Sequence, residues 1–274
     1  MSSEQVLAAS AAWISPWYPA HSIHEDLGWL EYYLENGTAT VMRVRPGGPT
    51  AAELVPDVLA ELWRQGATEA QWTVGPGYSP ADVDQVLLDL GARVDSMIDI
   101  CAHSLEQDLA GSSLAEAVTA RPVRTRDDVA TFDRVSALAW GYPPPSEDDI
   151  EKTFANLTRG YFTGYWNETP AGAGGYGFVG DVARFWGTAV VPEFRGRGVY
   201  RALVHARMEE ARKRGATLAL VHARERTSSP ILQRLGSPYT GSRRSWPSGV
   251  NCWPVKDSCS RGAQRWWLDG VVGH

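Results

Sequence analysis

The sequence predicts an α/β protein built from two similar domains, each a sheet flanked by helices. Three observations support this prediction. The chain has 274 residues, a length at which two domains are a better expectation than one. Short segments rich in β-branched and aromatic residues alternate with longer segments of helical apolar spacing. The succession of helix, glycine and strand at 65–68 returns at 214–217, and the Leu-Gly pair at 90–91 returns at 235–236.

The composition is that of a globular protein with a substantial core, since 43% of the residues are hydrophobic and 21% are charged. A net charge of -6 argues against general affinity for nucleic acid. The sequence shows neither a signal peptide nor a membrane span, which predicts a cytoplasmic protein. Cys101, Cys252 and Cys259 are too few and too scattered for a disulfide framework, and no metal site is expected.

The first half begins with residues 23–35, where Leu27, Leu30 and Tyr33 favour a short amphipathic helix. Residues 39–45 predict a strand that stops at the Pro-Gly-Gly-Pro segment 46–49. A helix, a strand, a second helix and a closing strand are then expected, over residues 54–66, 70–74, 80–91 and 92–104.

The second half follows a connector at 110–119. Capping boxes at 125–128 and 146–149 predict helices over 126–140 and 147–157, on either side of a triple-proline loop. Three strands, a helix, a strand and a short helix are then expected, over residues 161–166, 175–179, 182–191, 199–214, 217–223 and 230–235.

Residues 195–200 are the candidate ligand-binding segment of the second half. They follow an apolar strand and open an amphipathic helix, where unpaired N–H groups and the positive end of the helix dipole converge. Such a point binds phosphate. Gly196 and Gly198 let the backbone approach closely, while Arg195 and Arg197 add positive charge. The alternative is a glycine-rich turn with solvated arginines, which the strand before and the helix after disfavour.

Other nucleotide-binding and RNA-binding patterns fit this segment less well. A P-loop requires G-x-x-x-x-G-K-[ST], and no lysine followed by Ser or Thr is present here. A dinucleotide fingerprint requires G-x-G-x-x-G, which is not met. Arginine-glycine segments that bind RNA are usually repeated and disordered, whereas this one occurs once between periodic elements.

The run Val190-Val191-Pro192 followed by residues 195–200 resembles the signature of the GCN5-related N-acetyltransferase (GNAT) family. That signature is an apolar strand, V-x-P, and R/Q-x-x-G-x-G/A at the start of a helix. The resemblance covers about 120–236 and, more faintly, 37–105. It implies two tandem GNAT-like domains, each with a mixed, mostly antiparallel sheet flanked by helices.

The two halves are expected to differ in function. Residues 120–274 would be the acetyl-CoA-binding domain, with an atypical tail from about 237. Residues 1–110 would be a degenerate copy, because the prolines of 46–49 remove backbone donors that an anion needs. The tail is expected to cover a sheet edge with aromatic groups.

The resemblance also implies a set of cofactor-binding residues. The backbone amides of Arg195, Gly196, Arg197, Gly198, Val199 and Tyr200 would hold the pyrophosphate of acetyl-CoA. The strand that ends at Val191 would pair with the pantetheine arm, and the N–H of Val190 or its neighbour would polarise the thioester carbonyl. Tyr200 departs from the family, which usually has Gly or Ala there, so its side chain is expected to point away from the cofactor.

A second departure concerns proton transfer. Family members often carry N-x-x-A-x-x-L-Y in the last helix, whose tyrosine protonates the departing thiolate, whereas this chain has Glu225 and Leu232 at the Asn and Tyr positions. An acceptor amine can attack only in its neutral form, so a base must first remove a proton from its ammonium group. Glu225 is the candidate catalytic base, and the alternative is a solvated glutamate beside an arginine. Tyr176, Asp181 and His222 are interpreted as structural.

The predicted function is transfer of an acetyl group from acetyl-CoA to a primary amine by direct attack. A small-molecule acceptor is favoured, such as an aminoglycoside-like antibiotic or another polyamine, while amino-acid derivatives, protein N-termini and lysines stay open. No nucleic-acid or membrane partner is expected, and a homodimer is left open. The competing interpretation is a non-catalytic acyl-CoA-binding or interaction module, which Leu232 and the unusual tail favour.

Overall fold

The computed structural model describes residues 2–13, 22–45, 50–78, 80–107, 114–155, 157 and 160–248, with side chains up to residue 244 in the last range. The segment 46–49 and the cysteines Cys252 and Cys259, on which predictions were made, lie outside the described residues. The chain forms two compact units. The described parts of unit 1 fall within the ranges Met1–Ile100, Ala223–Thr227 and 240–248, and those of unit 2 within Cys101–His222 and Ser228–Tyr239.

The regular elements follow one another along the chain as α1 (Ser3–Ala11), β1 (Ile23–Asp26), β2 (Leu30–Glu35), β3 (Thr38–Val44), α2 (Ala51–Arg64), β4 (Glu69–Val74), α3 (Val83–Asp89), β5 (Ser96–Ser104), β6 (Val118–Pro122), α4 (Arg126–Trp140), α5 (Glu147–Ala155), β7 (Gly160–Trp166), β8 (Thr169–Val179), β9 (Val182–Val190), α6 (Val199–Lys213), β10 (Leu218–Arg224), α7 (Ser228–Arg234) and β11 (Tyr239–Ser248). None of the described helices combines the length and the apolar character that crossing a membrane requires.

The sheet of unit 1 has the strand order β1-β2-β3-β4-β11-β5, to which β5 contributes its first half. The pairs β1–β2, β2–β3 and β4–β11 are antiparallel, and β3–β4 is parallel with α2 as the crossover. Helix α2 buries the apolar positions that recur at helical spacing in its sequence, namely Leu54, Val55, Val58, Leu59 and Leu62.

Residues 23–35 form the hairpin β1–β2, so the predicted amphipathic helix is wrong. Three apolar residues in a short segment fit both the helical and the strand spacing, so the residues that form turns decide between a helix and a hairpin. Gly28 has φ +84°, and its N–H donates to Asp26 Oδ1 at 2.9 Å. Asn36 and Gly37, at φ 49° and 81°, form the next turn. An Asn-Gly pair is a strong hairpin signal that the sequence interpretation overlooked.

Unit 2 has the strand order β10-β9-β8-β7-β6, with the second half of β5 beside β10. Strands β6 to β9 pair antiparallel, while β9 and β10 pair parallel with α6 as the crossover. Helix α4 packs on one face, where Phe132 and Tyr161 lie edge to face at 5.0 Å. Helix α6 packs on the opposite face of the sheet. Gly164 is three positions from Tyr161 on β7 and so faces that side, and a Cβ on Gly164 would lie 2.7 Å from Val199 Cγ1 of α6.

Three strands differ from the sequence predictions. Strand β8 begins at Thr169 rather than at 175, since glycines at 172 and 174 hide its alternating pattern. Strand β6 occupies part of the predicted connector. The start of the unusual tail is β11, which lies between β4 and β5 instead of covering a sheet edge. The prediction for 237–248 is therefore wrong, and residues 249–274 lie outside the described part of the chain.

Candidate acyl-CoA site

Strand β9 loses its parallel partner halfway along its length. Residues Val182 to Phe185 of β9 pair with Leu218 to Val221 of β10, and the pairing stops there. On its other edge, β9 stays paired with β8 as far as Val190. Among the described residues, one edge of β9 therefore has no strand partner over residues 186–190; we call this the bare edge, and the space where β9 and β10 part the opening.

A β-bulge marks the start of this opening. The register between β8 and β9 shifts between Ala173 and Gly175, opposite the β9 residues 186–189. Gly187 lies inside this segment with φ +60°, a conformation that L side chains rarely adopt. Bulges bend the strand that carries them and re-aim its backbone groups. The bend accounts for the separation of β9 from β10.

Val190 and Val191 face opposite edges of β9. The N–H of Val191 donates to the Ala171 carbonyl of β8 at 2.9 Å, and the Val191 side chain is buried. Because backbone groups alternate along a strand, the N–H of Val190 points to the bare edge. On that edge Arg195 Nε donates to the Val190 carbonyl at 3.2 Å. The sequence-predicted polarising amide thus faces the opening.

The loop after β9 brings unpaired backbone amides together. A 3₁₀ turn over Pro192–Phe194 leads into Gly196 (φ +75°) and Gly198 (φ +89°), and Gly198 is the N-cap of α6. Helix α6 has no side-chain cap and no acidic residue in its first turn. In the described part of the chain, no hydrogen bond is formed by the amide N–H groups of 196–200.

Open space lies beside these amides. A Cβ built on Gly196 or Gly198 would meet no atom of the described residues within 4 Å, apart from the excluded chain neighbours. Arg195 and Arg197 are exposed. The Arg197 guanidinium lies 5.2 Å from the Trp166 ring and 5.7 Å from the Phe194 ring, so aromatic faces hold its charge at the loop. The loop meets the requirements of an anion site: donors, positive charge and room.

Val199 and Tyr200 fix the start of α6. Val199 is buried against the sheet. Tyr200 is partly exposed, and its hydroxyl hydrogen-bonds with Ser228 at the start of α7. Burial raises the pKa of the Tyr200 phenol to about 12. Its ring does not occupy the space within 4 Å of the Cβ position of Gly196 or Gly198.

The corresponding helix of unit 1 fills its own N-terminus with a carboxylate. Glu53 accepts hydrogen bonds from Thr50 N at 2.9 Å and from Thr50 Oγ1 at 3.0 Å. These bonds lower the pKa of the Glu53 carboxyl below its usual value. A protein carboxylate at this helix end takes the place that an anionic ligand would use. Helix α6 carries no such group.

A family model described as "Acetyltransferase (GNAT) family" matches residues 128–236. This stretch of the chain is a GNAT domain. The match contains β9, the glycine-arginine loop, α6 and α7, so the predicted resemblance is confirmed. No curated protein matches the sequence significantly.

Solved structures share the fold over most of the chain. A tandem GNAT protein from the clavulanic acid biosynthesis pathway, solved without AcCoA, is 16% identical, with a TM-score of 0.63 over 92% of this chain and 94% of that one. A GCN5-related N-acetyltransferase from Kribbella flavida is 18% identical, with a TM-score of 0.61 over 83% and 90%. One from Sphaerobacter thermophilus is 17% identical, with a TM-score of 0.61 over 81% and 77%. The predicted tandem α/β fold with mixed, mostly antiparallel sheets is confirmed.

The catalytic candidate Glu225 follows β10 and is exposed, and its N–H donates to the Met97 carbonyl at 3.3 Å. Within the described residues, no partner for its carboxylate is found. Leu232, at the family's tyrosine position, is buried at 1% exposure. Among the described residues, no group of His, Cys, Asp and Glu side chains is arranged as metal ligands.

Two residues interpreted as structural have partners that account for them. The Tyr176 hydroxyl accepts a hydrogen bond from Arg214 at 3.3 Å. The Asp181 carboxylate accepts one from Thr217 Oγ1 at 2.6 Å.

Two further residues of the GNAT domain went unnoticed in the sequence. Gly187 sits inside a predicted strand, which is a recognised signal for a bulge. Arg207 repeats the four-residue spacing of Val199 and Leu203, and so takes an inward position on α6. An arginine at an apolar helix position was the available signal.

Proposed function

We propose that this chain is an acetyl-CoA-dependent N-acetyltransferase that moves an acetyl group to a primary amine of a small molecule. The observation that carries the proposal is the row of unpaired amides at 196–200, beside open space and two arginines. Family membership supports acyl transfer, and the donor, acceptor and residue roles are our assignment.

The residues present fit the diphosphate of coenzyme A. The amides of Gly196, Arg197, Gly198, Val199 and Tyr200 would hold its oxygens, with Arg195 and Arg197 neutralising charge. The bare edge of β9, over residues 186–190, would hold the amide-containing arm up to Val191 at the end of the strand. Acetyl-CoA supplies an activated acyl group in the form of a thioester. The N–H of Val190 would orient and polarise the acyl carbonyl, since it points to that edge.

The acceptor amine must lose a proton before it can attack. Glu225 is our candidate for accepting that proton, directly or through water, since its carboxylate is exposed just beyond β10. A net charge of -6 favours a cationic acceptor, such as an aminoglycoside-like antibiotic or another polyamine. We expect the enzyme to act in the cytoplasm.

A second candidate is a non-catalytic acyl-CoA-binding module. The observation that favours it is Leu232, which is buried and offers no proton donor. The two proposals agree on cofactor binding and differ on thiol release.

Thiol release from acetyl-CoA across a panel of amines separates the two candidates. Turnover with any amine establishes the transferase. A raised melting temperature with acetyl-CoA, but no thiol from any amine, establishes the binding module.

The loop assignment is tested with Gly198→Glu, which places a carboxylate where the phosphate should bind. Gly215→Glu is the matched control, because Gly215 lies at the opposite end of α6 with φ +85° and equally open surroundings. Both changes force a side chain into a left-handed conformation, at about 1–2 kcal/mol. The thermal shift by acetyl-CoA should vanish only in Gly198→Glu. An unchanged shift in that variant would refute the assignment.

A further inference from the structure

Arg207 is a fully buried cation in the core of unit 2. Its side chain projects from α6 and is 1% exposed. Nε donates to the Leu203 carbonyl at 2.9 Å, one turn earlier in the helix. The guanidinium lies 4.7 Å from the Phe185 ring centre. No carboxylate of the described residues pairs with it, and burial lowers the pKa of Arg207 to about 10.

The other end of Arg207 contacts the strand opposite the bulge. Arg207 Nη1 donates to the Gly175 carbonyl at 3.0 Å, and Gly175 is the β8 residue at which the register shifts. A Cβ on Gly174 would lie 3.1 Å from Arg207 Nη1 and 3.1 Å from Thr188 Oγ1. The absence of a side chain at Gly174 therefore leaves room for the guanidinium between α6 and the shifted part of the sheet.

Such a residue is costly to keep for stability alone. Desolvation of a cation without a counter-charge is unfavourable, and an apolar residue of similar volume is often as stable or more so. A bulge, in contrast, leaves backbone groups without strand partners, and buried backbone groups need partners. Arg207 supplies a donor at that place, which an apolar side chain would not.

We propose that Arg207 is a positioning residue that holds the β9 bulge open. It does so by bonding the β8 carbonyl at the register shift, and it thereby fixes the direction of the bare edge that ends at Val190. The proposal rests on the proposed function, because that edge is assigned there to the acyl carbonyl. Arg207 does not touch the reactants and acts through the backbone of β8 and β9.

Arg207→Met is the direct test, with Arg207→Lys as the conservative variant. Arg214→Met is the matched control, since Arg214 ends the same helix and lies 4.8 Å from the Phe178 ring at the surface. We expect kcat/KM to fall by about 100-fold in Arg207→Met, because a small misplacement of a positioning group has an effect of that order. Affinity for free CoA should stay within about 3-fold of wild type, because the loop is untouched. Arg207→Lys should recover part of the rate, and Arg214→Met should behave as wild type.

Amide hydrogen exchange gives a readout that does not depend on activity. In Arg207→Met and, more weakly, in Arg207→Lys, we expect faster exchange at 172–175 and 186–190, with β6 and β7 unchanged. Unchanged exchange at the bulge, or wild-type kcat/KM, would overturn the role of Arg207. If wild type releases no thiol with any amine, the enzyme proposal fails separately, and the exchange comparison still decides on Arg207.

Discussion

Asp133 gives a prediction whose size follows from its surroundings. It lies on α4, where it hydrogen-bonds with Thr153 of α5, and its Oδ2 is buried with no hydrogen-bond partner among the described residues. Burial raises the pKa of Asp133 from 3.8 to about 6, the Thr153 bond opposes the rise, and the charge of Asp149 adds to it.

The raised pKa makes the folded state less stable at neutral pH. Between pH 3.8 and about 6 the unfolded chain loses this proton first, so stability falls as the pH rises through that window. The difference between 3.8 and about 6 corresponds to about 3 kcal/mol, at about 1.4 kcal/mol per unit. Because Asp133 is partly exposed, solvent screening reduces the expected effect to about 1–2 kcal/mol.

Asp133→Asn keeps the shape and removes the charge. Its melting temperature at pH 8 should exceed that of wild type by about 2–8 °C, whereas the two should nearly coincide at pH 4, where Asp133 is protonated. Asp149→Asn is the opposite control, since Ser146 bonds lower the pKa of Asp149 and its charge is stabilising at pH 8. Thermal denaturation followed by circular dichroism measures both. An Asp133→Asn effect of equal size at both pH values would refute this reasoning.

Two further predictions concern unit 1. Glu53→Gln weakens the cap of α2 and should lower the melting temperature slightly, while leaving the thermal shift by acetyl-CoA unchanged; loss of that shift would place the ligand at α2 instead. Deletion of residues 239–274 removes β11 and leaves β4 without its antiparallel partner. Limited proteolysis should then cleave within residues 69–100 at least about 10-fold faster, and an unchanged cleavage rate would argue against β11 as an integral strand.

Local signals in the sequence predicted much of the fold. Helices α2 and α6 were found because apolar spacing is followed by a terminal glycine, and α4 was found because a capping box precedes it. Strands β1 and β2 were missed although Asn36-Gly37 marks the turn from β2 to β3. Strand β11 was missed because its partner, β4, lies more than 160 residues earlier in the chain, and its own sequence has no clear alternation.

The candidate site, like the fold, has features that could be predicted from the sequence and features that could not. The loop at 195–200 could be found from sequence because its donors, glycines and arginines are adjacent in the chain. The contact of Arg207 with Gly175 joins residues 32 positions apart, and no local pattern encodes it. The capping box Thr50–Glu53 of α2 and the glycine N-cap of α6 are both visible in the sequence, and their contrast went unnoticed there.

The place of β11 between β4 and β5 has a consequence for synthesis on the ribosome. Strand β4 ends at residue 74 and β11 at residue 248, a difference of 174 residues. At about 5–20 residues per second, translation of that interval takes roughly 9–35 seconds. For this time the nascent chain carries an edge of β4 that its own later residues have not yet covered. We expect chaperone contact and mispairing of nascent chains to be concentrated at this edge.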